Sequence, residues 1–276
     1  MDTLLLLPPS ERVPEDLPPA DAGPMLIARC RSFAPGHRIP AHRHARGQFL
    51  YSVAGTMGVR TPGQVWLVPP SRALWLPAGT EHVVHAHGDV HMRTLYLDAT
   101  SAARLPARCA ALDVTPLLRE LIVRLTTPVD PAETEDTRDL AARLAVAEIG
   151  QLPACALALP LPQSADLAAW CEGWLREIGG VPGDALSAAP TSMSPRTLYR
   201  RFQQETGISF VRWRQQACLL EAVRRLAAGV AVTRVALDLG YDSPSAFTAM
   251  FRRALGASPR AFFARGANGS TAGDFA

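Results

Sequence analysis

Two groups of side chains in this 276-residue chain are suited to chemistry. In the first group, His42 and His44 stand two positions apart, so on a β-strand their imidazoles would project from the same face. With a third imidazole from a neighbouring strand they could form a three-nitrogen site for a divalent transition metal. The same side chains could instead be the polar lining of a ligand pocket that holds no metal.

The second group is basic and lies near the C terminus. All 28 basic residues of the chain are arginine, and the net charge is only +3. The charge is uneven, because residues 194–265 contain 12 arginines and four acidic residues, whereas residues 1–193 are slightly acidic. This distribution predicts a polyanion as the partner of the C-terminal third alone.

Residues 230–263 have the pattern of two short helices with a sharp corner between them. Apolar residues recur at helical spacing up to Leu239, and Gly240 follows where a left-handed cap is expected. Ser243 and Pro244 then supply the N-cap and the first-turn proline of a second helix. A helix pair whose second helix presents small polar groups and then arginines suits the major groove of DNA.

This helix pair is the second copy of an internal repeat. At a constant offset of 49 residues, matched positions have the same mechanical role in both copies: N-cap, first-turn proline, two core anchors, C-cap glycine and the next N-cap. The matched pairs are Ser194/Ser243, Pro195/Pro244, Leu198/Phe247, Phe202/Phe251, Gly207/Gly256 and Ser209/Ser258. The sequence therefore predicts two helix-turn-helix modules.

A continuous helical pattern over residues 210–228 connects the two modules. At about 1.5 Å per residue this connector spans roughly 28 Å. Successive major grooves on one side of B-DNA recur about every 34 Å. The connector is therefore long enough to hold the two modules at adjacent grooves.

Residues 164–265 resemble the DNA-binding domain of the AraC/XylS family of transcription regulators. The resemblance lies in the motifs S-P-R-T-L-Y-R-R-F-Q-Q-E-T-G-I-S-F and V-A-L-D-L-G-Y-D-S-P-S-A-F-T-A-M-F-R-R-A-L-G-A-S-P-R-A-F. One departure lies in the first helix of the first module, expected over residues 184–189. Pro190 follows it and Ser192 stands where such turns usually carry glycine, so this helix is expected to be short.

The resemblance implies which side chains face the DNA. The groove-facing candidates are Arg196, Thr197, Tyr199, Arg200 and Gln203 in the first module, and Ser245, Thr248, Ala249 and Arg252 in the second. Arginine can bridge guanine O6 and N7, and glutamine can pair with adenine. The candidates for phosphate contacts, which position a protein without reading sequence, are Arg201, Arg214, Arg253 and Arg260. The first module is expected to supply more base readout and the second more backbone contact.

Residues 25–98 contain short β-type runs separated by glycine and proline, and they resemble a small cupin barrel. The spacing of His42, His44 and Gln48 matches the first cupin motif, with Gln48 where glutamate is usual. His82 matches the second motif and is therefore the third candidate metal ligand. Because the glutamate ligand is missing, a pocket without metal is the favoured interpretation. The candidate effector-binding residues are His42, His44, Gln48, Trp66, Trp75 and His82.

These patterns predict an α+β protein of two domains. The expected segments are a mobile Pro-rich leader (1–23), a cupin-like effector-binding barrel (24–100), a helical segment for dimerisation or packing (101–156), a linker (157–163), an all-α DNA-binding domain (164–265) and a flexible tail (266–276). Within the helical segment, Leu140 and Leu144 are expected on the buried face.

The cysteines and the apolar runs bear on the cellular compartment. The five cysteines are scattered, odd in number and without a C-x-x-C pair, which favours a reduced cytoplasmic protein. The N terminus lacks the features of a signal peptide, and no apolar run reaches membrane-spanning length, so no membrane partner is expected.

The function predicted first is that of a sequence-specific transcription regulator, with no catalytic residues. Its expected partners are double-stranded promoter DNA, a small-molecule effector, a second copy of the chain and, if it activates transcription, RNA polymerase. Two alternatives remain open: a metal-dependent cupin enzyme fused to a DNA-binding tether, and a metal-sensing regulator.

Overall fold

The computed structural model describes residues 17–70, 72–129, 131, 133–155, 157–178 and 193–267. The expected short helix over residues 184–189, the first part of the leader and the end of the tail lie outside these ranges. Among the described residues, no helix combines the length and the apolar character needed to cross a bilayer.

The N-terminal domain is a barrel of two five-stranded antiparallel sheets. The first sheet has the order β1 (Leu26–Phe33), β8 (Val90–Leu97), β3 (Gly47–Ser52), β6 (Arg72–Leu76) and β9 (Ala110–Asp113). The second has the order β10 (Ala158–Pro160), β5 (Gln64–Val68), β4 (Thr56–Thr61), β7 (His82–His87) and β2 (Arg38–His42). Alternate residues of each strand face the space between the sheets, where Leu50, Leu74 and Val84 form part of the core.

The last part of the leader is held against the barrel, so the prediction of a mobile segment up to residue 23 is wrong for residues 18–23. The guanidinium of Arg46 is buried and donates hydrogen bonds to the backbone carbonyls of Pro18, Pro19, Ala22 and Pro24. A buried guanidinium must be satisfied in this way, and these carbonyls supply the acceptors.

A helical hairpin covers the outer face of the first sheet. It follows the short helix α1 (Ala99–Ala102) and strand β9, and it consists of α2 (Pro116–Thr126) and α3 (Glu135–Ile149). The prediction that Leu140 and Leu144 are buried is wrong, because their exposed fractions are 65% and 45%. The buried face of α3 includes Ala141 and Ala145 instead.

The C-terminal domain is all-α and confirms the internal repeat. Its helices are α4 (Ala165–Glu177), α5 (Pro195–Thr206), α6 (Phe210–Ala227), α7 (Val232–Asp238), α8 (Pro244–Leu255) and α9 (Pro259–Ala267). Helices α5 and α8 both have 12 residues and begin 49 positions apart. Ser194 and Ser243 cap their N termini, and Gly207 and Gly256 end them with φ of 76° and 73°, which favours glycine in the left-handed region.

The segment predicted as a linker, 157–163, is part of the structure between the two domains. Its residues 158–160 form β10, which pairs with β5, and Leu159 is buried. On the other side, the indole Nε1 of Trp213 in α6 donates to the carbonyl of Pro160 at 2.7 Å. The segment therefore connects the barrel to α6 through hydrogen bonds in both directions.

Two further contacts dock the helical domain on the barrel. Arg60 on β4 forms an ion pair with Glu172 on α4, at 2.9 Å. The guanidinium of Arg72 on β6 lies 5.0 Å from the ring centroid of Phe262 on α9. The first contact involves the first half of the helical domain and the second contact involves its second half. A hydrophobic cluster with residues from both domains adds to these contacts.

Candidate DNA-reading surface and histidine site

Helix α5 is held by an aromatic cluster on its inner face. Leu198 and Phe202 are buried, and the ring of Phe202 meets those of Trp170, Phe210 and Trp213 at centroid distances of 6.1, 5.3 and 5.8 Å. The two apolar anchors stand four residues apart, so they lie on one side of the helix. The opposite side is left for polar groups.

An ionic network fixes α5 to α4. The carboxylate of Glu205 accepts hydrogen bonds from the backbone N–H groups of Gln163 and Ser164, and from the hydroxyl of Ser164. Burial opposes ionisation, but the hydrogen bonds from Ser164 and Arg201 hold the pKa of Glu205 below its usual value. Glu205 thus holds the chain at the N-terminal end of α4, where the Ser164 side chain forms no capping hydrogen bond.

Arg201 is part of this network, so the expectation that it contacts phosphate is not supported by its position. Its guanidinium pairs with Asp166 at 2.8 Å and with Glu205 at 3.0 Å. Burial alone would lower the pKa of Arg201. The two carboxylates raise it by more, so the pKa lies above its usual value. In this structure Arg201 connects α5 to α4 through these ion pairs.

Helix α8 is supported in an equivalent way. Phe247 and Phe251 are fully buried, and the ring of Phe251 packs against that of Phe262 at a centroid distance of 5.5 Å. The preceding helix α7 is tied to α6 by Asp238, which accepts hydrogen bonds from Arg225 and Arg234. The hydrogen bond from Arg225, followed by that from Arg234, lowers the pKa of Asp238.

The reading-surface candidates lie on the outer sides of α5 and α8, which the barrel leaves open. The exposed members are Arg196, Tyr199, Arg200, Gln203, Ser245, Ala249, Arg252 and Arg253, while Thr197 and Thr248 are partly exposed. The hydroxyl of Thr197 bonds to that of Ser194 at 3.0 Å, so it also belongs to the helix cap. No acidic side chain of the described residues pairs with Arg196, Arg200, Arg252 or Arg253.

The three predicted histidines meet inside the barrel. His42 at the end of β2 lies directly opposite His82 at the start of β7, next to an irregularity in the pairing of these strands, and His44 follows two residues later. One ring nitrogen from each lies within 4.8 Å of the others, as a shared metal ion would require. The ring of His44 also contacts that of Tyr96 at a centroid distance of 5.0 Å.

The tautomers of two of these histidines are set by backbone carbonyls. The Nδ1 atom of His42 lies 2.7 Å from the carbonyl oxygen of Pro40, and Nδ1 of His82 lies 2.9 Å from that of Thr80. Because a carbonyl oxygen can only accept, Nδ1 carries the proton in both rings. In a neutral ring with this tautomer the lone pair lies on Nε2, which is the atom that could bind a metal ion.

Gln48 lines a small cavity together with one of these histidines, His42. It is only 3% exposed and lines one small cavity of ≈ 10 Å³ together with His42, Tyr96 and Arg31. Within the described residues its Oε1 has no hydrogen-bond partner. None of the described side chains that line this cavity is a carboxylate.

The two tryptophans assigned to the effector pocket do not line this cavity. Trp75 faces the helical hairpin on the outside of the first sheet, where its Nε1 donates to the carbonyl of Pro106 at 2.8 Å, so its assignment was wrong. Trp66 lies on the inner face in register with Val59, and its Nε1 donates to the hydroxyl of Thr61 at 3.0 Å. Tyr96 and Arg31 line the cavity instead, and the sequence signal for Tyr96 was its even spacing from Met92 on the same strand.

Comparison with known proteins gave matches for both halves of the chain. A family model described as a helix-turn-helix domain matches residues 187–265, and one described as an AraC-like ligand binding domain matches residues 27–149. The HTH-type transcriptional regulator NimR of Escherichia coli (strain K12) is 34% identical over 228 residues, which is 82% of each chain.

Two solved structures are also similar. ToxT from Vibrio cholerae O395 is 8% identical, with a TM-score of 0.36 and coverage of 87% of this chain and 98% of that one. The DNA-binding domain of AdpA, a global transcriptional factor solved in complex with a target DNA, is 32% identical, with a TM-score of 0.35 and coverage of 40% of this chain and 100% of that one.

Proposed function

Because the chain belongs to the AraC family of transcription regulators, we propose that it contacts promoter DNA through the outer faces of α5 and α8 and senses its effector at the histidine site. Family membership makes it a sequence-specific DNA-binding regulator with an N-terminal effector-binding domain. The family consists of regulators, so the barrel is proposed to bind its ligand without transforming it.

The repetition of α5 and α8 is the observation that carries the DNA-reading proposal. Both helices have the same length, a serine N-cap, a glycine C-cap and two buried anchors at matching positions, and both expose their polar faces. The 18 residues of α6 give the connector a length of about 27 Å, which suits adjacent major grooves. Because docking on the barrel leaves these faces open, the effector would act by changing their orientation rather than by covering them.

Substitution of one arginine in each module tests the reading surface. Arg252→Ala is expected to weaken binding to a selected operator by about 1–3 kcal/mol and to reduce the salt slope by about 1. Arg196→Ala is expected to cost a similar amount and, in addition, to relax the preference for individual bases. Gel-shift titrations at several salt concentrations, on matched and mismatched operators, measure both quantities.

Arg143→Ala is the matched control, because Arg143 is an exposed arginine on α3, away from both modules. Unchanged operator affinity in both reading-surface variants would rule out the assignment. Equal losses for Arg143→Ala would show that net charge alone is responsible.

We also propose that a divalent transition metal binds at His42, His44 and His82. The preset tautomers of His42 and His82 and the proximity of the three rings fit this role. When bound, the ion would supply a Lewis-acidic centre that recognises an electron-rich ligand. The protein groups would orient that ligand within the barrel.

The hairpin helices are proposed to form the contact between two copies of the chain. Leu140 and Leu144 are exposed one turn apart on α3, and Leu117 on α2 is 49% exposed. Leu140→Glu is expected to shift the dimer toward monomer in sedimentation experiments, since a charge would be buried in an apolar contact. Leu237→Glu changes an equally exposed leucine on α7 and is expected to leave the dimer intact; dissociation in neither variant would exclude this surface.

The remaining partners follow from the proposed role. The regulator would act in the cytoplasm on double-stranded promoter DNA. If its output is activation, RNA polymerase is a further partner, and transcription in a purified system would distinguish activation from repression.

A further inference from the structure

We propose that the two modules read half-sites of different base chemistry: α5 reads guanine through arginines, and α8 reads thymine through its 5-methyl group. This inference rests on the DNA-reading role proposed above and adds the bases that each helix recognises. It follows from a comparison of the outer faces of the two helices at the constant offset of the repeat. The partner is accordingly an asymmetric operator, with guanine contacts in one half and thymine contacts in the other.

The outer faces of α5 and α8 can be compared position by position. On each helix, residues at positions i, i+3, i+4 and i+7 lie on one side, away from the two buried anchors. The matched pairs on this side are Arg196/Ser245, Tyr199/Thr248, Arg200/Ala249 and Gln203/Arg252. Thr248 is partly exposed and the other members are exposed. Because the caps and anchors stand at matching positions, the main difference between the two faces is the chemistry of their side chains.

The outer face of α5 carries two arginines that are available for hydrogen bonds. Arg196 and Arg200 stand about one turn apart and are exposed, and no acidic side chain of the described residues forms an ion pair with either. The ring of Tyr199 leans towards α6, where its centroid lies 5.9 Å from that of Phe210. A guanidinium donates two hydrogen bonds to O6 and N7 of guanine, the commonest specific contact in the major groove. The outer face of α5 thus favours guanine at two positions of its half-site.

The outer face of α8 offers methyl groups instead. Ser245, Thr248 and Ala249 have short, uncharged side chains, and the single charge on this face belongs to Arg252 at its C-terminal end. Short side chains contact a base edge only if the backbone of α8 lies close to the floor of the groove. At that separation, the methyl groups of Thr248 and Ala249 can pack against the 5-methyl group of thymine, which is the apolar group in the major groove.

The test changes single groups of the DNA in an operator selected with the full-length protein. 7-Deazaguanine removes the N7 acceptor of guanine, and uracil removes only the methyl group of thymine. In the half-site of α5, 7-deazaguanine at a contacted guanine is expected to lower the affinity at least about tenfold. In the half-site of α8, uracil at a contacted thymine is expected to lower it about fourfold, the effect of one buried methyl group. Each analogue should have little effect in the other half.

Exchange of matched residues supplies the protein variants. Arg200→Ala places in α5 the residue that α8 has, and it should remove the effect of 7-deazaguanine at one position. Ala249→Arg places a guanidinium on the outer face of α8, and renewed selection should then yield guanine in place of thymine there. Ala254→Arg is the matched control, because Ala254 is exposed on the opposite side of α8. It adds the same charge and should leave the selected base unchanged.

The outcomes separate this inference from the proposal on which it rests. The half-site of each module is identified by the contacts that Arg196→Ala and Arg252→Ala remove. Failure to select any operator, or binding that neither of these variants weakens, would remove the reading surface itself. An operator that both helices contact but that tolerates both analogues, or that needs N7 in both halves, would overturn the division of base chemistry and leave the paired reader in place. Selection of thymine by Ala249→Arg would contradict the assignment of Ala249.

Discussion

Replacing Phe251 with alanine is expected to destabilise the protein by about 3–5 kcal/mol and to abolish specific operator binding by the second module. The side chain is fully buried on the inner face of α8, and its ring packs between those of Phe247 and Phe262. Truncation would leave a cavity between these two rings, at the point that orients α8. Urea denaturation followed by tryptophan fluorescence, together with gel-shift titration, measures the two effects.

The internal repeat supplies the comparison for this prediction. Phe202 has the same role on α5, is also fully buried and contacts three aromatic rings. Phe202→Ala is therefore expected to have a similar cost but to remove the contacts of the other half of the operator. Phe251→Leu keeps most of the volume and should lose much less. A cost below about 1 kcal/mol for Phe251→Ala would contradict the proposed packing role.

Replacing His82 with alanine is expected to lower the affinity for a divalent transition metal by more than about 100-fold. Loss of groups that merely support a metal ligand costs about 10–100-fold, and His82 is assigned as a ligand itself. The centroid of its ring is 4.2 Å from that of His42 and 5.4 Å from that of His44, so it completes the three-nitrogen arrangement. Isothermal titration with Zn²⁺ or Co²⁺ measures the change.

His91→Ala is the control for this prediction, since His91 is exposed on β8 and lies outside the histidine site. Metal affinity of the native protein should also fall on acidification, because a ligating imidazole must be deprotonated. If His82→Ala and His91→Ala bound metal equally well, the ion would have to be held elsewhere.

Features that depend on local chemistry were the most predictable from the sequence. The caps at Ser194 and Ser243 and the glycines at 207 and 256 act within a few residues of their own position, so the repeat and the helix boundaries were found. The convergence of His42, His44 and His82 was also expected, because strand periodicity and motif spacing point to it.

Features that depend on distant partners were not found from the sequence. Pro160 is compatible with a strand only at an edge, and its pairing with β5 depends on a segment almost 100 residues away. No pattern near Arg46 in the sequence indicates its carbonyl partners, and Glu205 binds the N-terminal end of a helix that begins 40 positions earlier in the chain. The sequence of α3 allows two apolar faces, one with leucines and one with alanines, and the structure buries the face that includes Ala141 and Ala145.

Hydroxyl-radical footprinting of the full-length protein on a selected operator tests the central claim most directly. Two adjacent major-groove segments, centred about one helical turn apart on the same face of the duplex, should be contacted. The contacts of one segment should weaken in Arg196→Ala and those of the other in Arg252→Ala. A single contacted segment, or two segments on opposite faces, would contradict a reader built from α5 and α8 joined by α6.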